Sequence, residues 1–61
     1  MSTYRVVTAA KTVYVHNVDD RYSLIEGDPL LGHELELVFH RVGMPEMRFP
    51  WVNVISYEKT A

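Results

Sequence analysis

Residues 34–40 read ELELVFH, and how this stretch folds decides the architecture. Leu35, Leu37 and Phe39 alternate with Glu34, Glu36 and Val38, and His40 ends the run on the glutamate side. Strict alternation is the period of a half-buried strand, because successive side chains of a strand point to opposite faces. Glu and Leu also favour helices, so a helix is the rival reading. A helix buries residues at spacings of three and four. Here the spacing is two throughout and the run is short, so a strand is predicted. Its apolar side faces a core, and Glu34 and Glu36 form a solvated face whose charges discourage edge-to-edge aggregation.

The chain on either side follows the same pattern. Downstream, Arg41 to Glu46, with Gly43 and Pro45, reads as a loop, and Met47 to Phe49 as a short strand. Pro50 suits the first position of a helical turn, since its fixed φ fits and its missing N–H has no partner to lose there. Trp51, Val52 and Asn53 are then predicted to form one 3₁₀ turn, followed by a last strand from Val54 to Glu58 and a polar end at 59–61. Upstream, Tyr4 to Thr8 is a β-branched first strand and Ala9-Ala10-Lys11 a short connection. Lys11 to Val18 alternates again, with Val13 and Val15 on one face and Tyr14 and His16 on the other. Asn17 to Asp20 is a turn by composition. Arg21 to Glu26 reads as a further strand, with Tyr22 and Leu24 on one face and Ile25 on the other. Gly27-Asp28-Pro29 breaks it, and Gly32-His33, after Leu30 and Leu31, marks a second reversal.

Five or six short strands at this spacing predict an all-β fold. The expected form is a small antiparallel sheet curled into an SH3-like barrel or half-barrel, with one short helical turn before the last strand. The SH3 likeness is architectural and carries no function. The expected core holds Leu35, Leu37, Phe39, Val13, Val15, Val54 and Ile55.

Composition bounds the rest. The chain has 61 residues, 48% of them hydrophobic, and a formal charge of −2 from six Lys and Arg against eight Asp and Glu. That length predicts a single small domain, residues 1–61, whose interior is scant. It has no cysteine, so neither a disulfide nor a thiolate metal site supplements the core. A partner subunit is the remaining source of burial. Seven aromatic residues on a sheet able to enclose only one face predict a homo-oligomer, most simply a two-fold dimer. No run approaches the length of a membrane span, and MSTYRVVTAAKTVYV lacks a charged leader followed by an apolar block. No membrane partner and a cytoplasmic location are expected.

No catalytic, metal or cofactor site is predicted. His16, His33 and His40 lie on separate segments at irregular intervals, unlike the convergent ligands of a zinc site. Paired carboxylates need a dry pocket to do acid–base chemistry, and no nucleophile–base pair or phosphate-cradling loop is visible. The chain is expected not to be an enzyme. Arg5, Arg21, Arg41 and Arg48 with Tyr4, Tyr14 and Trp51 raise the alternative of a small barrel that binds single-stranded nucleic acid. Scattered basic residues outnumbered by acids argue against it. Met44 and Met47 flank Pro45-Glu46, and thioether side chains reshape easily against a partner. The candidate interaction surface is therefore Tyr14, Trp51, Met44, Met47 and Arg48.

The segment Phe49 to Glu58, FPWVNVISYE, resembles the C-terminal end of small uncharacterised proteins encoded by phages of actinobacteria. In those a strand ends in Phe-Pro, a short apolar turn contains Asn-Val, and a last strand begins with Ser-Tyr-Glu. The opening YRVVT and the central YSLIEG are loosely similar. The Leu30-Leu31 pair and the longer Arg41 to Met47 loop depart from that pattern. The resemblance implies a phage product acting in a bacterial cytoplasm and transfers no activity to any residue. The functional expectation is a non-catalytic protein-interaction module, a phage product that acts on a host protein. A single-strand nucleic-acid binder and a minor virion or assembly component are the alternatives.

Overall fold

The computed structural model describes residues 1–26, 30, 32 and 35–61, with the backbone alone at 20–25. Five strands follow in chain order: β1 (Ser2–Thr8), β2 (Thr12–Glu26), β3 (Leu35–Arg41), β4 (Met47–Pro50) and β5 (Val54–Lys59). They form one antiparallel sheet in the order β4-β3-β2-β1-β5. β4 and β5 thus stand at its two ends, joined by a 3₁₀ turn at Trp51–Asn53, and the sheet does not close between them. This is the half-barrel form of the expected SH3-like layout, with its single helical turn where Pro50 predicts it. Pro50 caps that turn at φ −56°.

One long strand organises the sheet. The first half of β2 pairs with β1, Tyr4 opposite Val15 and Val6 opposite Val13. Its second half pairs with β3, Tyr22 opposite Phe39 and Leu24 opposite Leu37. The sequence predicts a chain reversal at Asn17–Asp20; the structure has a bend instead, and β2 runs through it. Asn17 takes φ 61°, a left-handed conformation that Asn adopts more readily than most residues. The pairing with β1 shifts beside it, and the pairing with β3 shifts between Val18 and Tyr22. Extra residues of this kind bend a strand and increase its twist. The bend lets a single strand serve both halves of the sheet. Gly32 lies in a turn at φ 77°, where the sequence predicts a second reversal. The expected break at 27–29, His33, the outlook of Tyr22, Leu24 and Ile25, and Glu34 lie outside what is described.

The core gathers Tyr4, Val6, Val15, Val18, Leu37, Phe39 and Phe49, with Val13, Met47, Trp51, Val54 and Tyr57 packed at its margin. Phe39 sits centrally: its ring lies 5.1 Å from Tyr4 and 6.1 Å, edge-on, from Phe49. Three expectations need correction. Leu35 is exposed, because β4 ends at Pro50 opposite Glu36 and leaves Leu35 without a neighbour on that side. Ile55 is exposed, because the pairing of β5 with β1 shifts between Ser56 and Val54 and leaves Ile55 as the extra residue, turned outward. Glu36 is buried rather than solvated, and so is Val38 beside it on the same face. β3 is an interior strand. Arg48 of β4, paired with Val38, reaches along that face to Glu36, Nη1 to Oε1 at 3.5 Å.

Candidate functional site

The five residues singled out from sequence do not form one surface. Tyr14 is exposed on the face of β2 opposite the core, in a row with Arg5 and Glu58. Trp51 and Met47 turn inward and pack against the core margin; Trp51 meets Tyr57 edge-on at 6.1 Å. Met44 lies in the loop between β3 and β4, where its sulfur accepts from Asn17 Nδ2 (3.2 Å) and Arg41 Nη2 (3.1 Å). It therefore braces the β2 bend. Arg48 belongs to the outer face of β3 and β4.

Arg48 is the centre of a charged row there. Its Nε donates to Glu46 Oε1 at 2.7 Å, and Glu36 lies beyond it. His40 Nδ1 stands 3.7 Å from Glu46 Oε2. The hydrogen bond to Glu46 raises the Arg48 pKa most; partial desolvation lowers it, and the charges of Glu46 and Glu36 raise it further. Arg48 thus stays a cation whose charge is already answered. Two other arginines are also engaged. Arg5 binds Glu58 across β1 and β5, and Arg41 Nε donates to the His16 carbonyl at 3.0 Å. A row of free guanidinium groups, which a nucleic-acid groove requires, is not what these three residues present.

A cleft of about 260 Å³ opens at the unclosed end of the sheet. It is walled by the Thr8–Lys11 turn, Val13, Phe49, Pro50 and Asn53. The turn is closed by four hydrogen bonds of its own. Thr8 N–H and Oγ1 both donate to the Lys11 carbonyl, at 2.9 and 2.7 Å, while the Lys11 and Ala10 N–H groups donate to Oγ1 at 3.0 and 3.3 Å. Ala9 N–H donates to the Asn53 carbonyl at 3.0 Å and ties this turn to the 3₁₀ turn across the seam. Sequence reasoning did not find the cleft. Its signals, a Thr with two small residues before Lys11 and a Pro before the 3₁₀ turn, lie some forty residues apart, and only the sheet order brings them together.

Among the described residues no group of three or more His, Asp or Glu side chains converges as metal ligands, and no helix is long and apolar enough to cross a membrane. No family model, curated protein or solved structure matches the chain.

Proposed function

We propose that this chain is a non-catalytic protein-interaction module that engages its partner through the open end of its sheet. The observation that carries this is the placement of Val52 and Ile55, which are 87% and 68% exposed on either side of Asn53. Large apolar groups held in water at an unfinished end of a fold are surface that a partner covers favourably. The resemblance of residues 49–58 to phage proteins supports a host protein in a bacterial cytoplasm as the target. The commitment of Arg5, Arg41 and Arg48 to partners within the chain weighs against single-strand nucleic-acid binding. The test is affinity capture from host lysate by the wild type and by a Val52→Asp/Ile55→Asp variant of unchanged circular dichroism. A protein retained by the first and lost by the second is expected; equal retention refutes the surface.

The same exposure supports self-association as a two-fold dimer, which covers both copies alike. Sedimentation equilibrium is expected to give about twice the 7.1 kDa chain mass. A monomer mass persisting at high protein concentration removes the dimer.

A further inference from the structure

We propose that the seam cleft recognises an extended peptide segment of a partner protein in which a large apolar side chain is followed by an acidic one. This rests on the interaction-module reading and adds the chemistry of what the module binds. The floor of the cleft is apolar: Ala9, Ala10, Val13, Phe49 and Pro50. Its volume, about 260 Å³, falls below the range of sites that enclose a whole small molecule, roughly 300–1,000 Å³. It accommodates one side chain of Leu or Phe size with part of the backbone that carries it.

Two polar side chains of the lining are not engaged within the turn, those of Lys11 and Asn53. Lys11 is the one ionisable residue of the lining. It is exposed, and its ammonium makes no ion pair with any described residue. The Asn53 side-chain amide has no hydrogen-bond partner among the described residues, and its backbone carbonyl accepts from Ala9. An apolar floor with one cation and one free amide defines a ligand of matching order. The apolar side chain fills the floor. A carboxylate beside it meets Lys11. A peptide N–H and C=O meet the Asn53 amide, which both donates and accepts. A basic neighbour in the carboxylate's place is repelled, so charge sets the preference as well as the affinity.

The test uses the full-length chain, isotope-labelled, and three capped pentapeptides: one with Phe-Glu at its centre, one with Phe-Lys and one with Ala-Glu. Amide chemical shifts are followed at millimolar peptide. The Phe-Glu peptide is expected to move the amides of Ala9, Ala10, Lys11 and Asn53. Phe-Lys is expected to bind about fivefold more weakly, the most that one exposed ion pair commonly contributes. Ala-Glu, which keeps the carboxylate but has no large apolar side chain to bury, is expected to bind at least about tenfold more weakly. Lys11→Glu, on an exposed turn and so neutral to folding, is expected to reverse the preference toward Phe-Lys. Shifts centred elsewhere, no shift with Phe-Glu, or an unchanged preference in Lys11→Glu each overturn the inference. None of these touches the module reading, which the Val52 and Ile55 variant tests on residues outside the cleft lining.

Discussion

Replacing Phe39 tests the core most directly. Phe39 is fully buried, with Tyr4 and Phe49 as ring partners on two sides. Phe39→Ala deletes the ring and leaves a cavity between β1, β3 and β4, at a cost of about 3–5 kcal/mol. Phe39→Leu keeps most of the volume and loses the two ring contacts, each about 0.5–1.5 kcal/mol, so about 1–3 kcal/mol in all. At roughly 0.05–0.15 kcal/mol per residue, a chain of 61 residues has about 3–9 kcal/mol to lose. The leucine variant should therefore remain folded, while the alanine variant should lose from about a third to the whole of that margin. Trp51 is the only tryptophan and packs at the core margin, so its emission reports the transition. With a urea slope of about 1 kcal/mol/M, Phe39→Leu lowers the midpoint by about 1–3 M. Ile55→Ala, an outward-facing control, should stay within about 0.5 kcal/mol of wild type. Equal midpoints for Phe39→Ala and Ile55→Ala refute the placement of the core.

Glu36→Ala should cost about 1–2 kcal/mol, well above a solvent-face substitution, because it removes a buried group that Arg48 contacts; a midpoint indistinguishable from wild type in urea denaturation overturns the burial of that face. Asn17→Gly should be neutral within about 0.5 kcal/mol, whereas Asn17→Val should cost about 1–2 kcal/mol, since a β-branched residue is strained at φ 61°. If thermal melts rank those two the other way, the bend does not depend on that conformation. Chelation by EDTA should leave the melting temperature unchanged, and a drop restored by zinc counts against the assignment of the histidines as ordinary side chains.

What the sequence discloses here is local. Alternation in ELELVFH identifies a strand and places Leu37 and Phe39 on the core side correctly. It does not show what lies along the strand's other face, so it misassigns Glu36, which is buried there with Val38 and contacted by Arg48 from β4. Asn17 to Asp20 carries a true signal for a break in regular pairing. Asn accepts the left-handed region equally in a reversal and in a bulge, and the pairing of β2 with two partners decides between them. Ile55 fails for a similar reason: a one-residue shift in pairing sends a side chain to the other face, and nothing in VNVIS marks it. The 3₁₀ turn was legible to the residue, because Pro50 fixes its own φ whatever lies around it. The five candidate surface residues lie apart in the fold. They were chosen by type, and type does not reveal which face each occupies.

The 3₁₀ turn links the stability of this fold to the surface it offers. β4 and β5 share no ladder, so something else must close the core between them. Trp51 does so, packed at the core margin and edge-on to Tyr57. A 3₁₀ turn repeats every three residues, so a side chain directed inward at its first position sends the next two outward. The exposure of Val52 and the position of Asn53 on the cleft wall thus follow from the inward turn of Trp51. Ala9, bonded to the Asn53 carbonyl, holds the opposite wall to the same turn. Full closure of the sheet would give β4 and β5 their missing hydrogen bonds but would remove both the cleft and the apolar residues beside it. The open form keeps a single aromatic plug in place of a ladder, and the backbone that seats this plug also shapes the wall of the cleft proposed as the binding site.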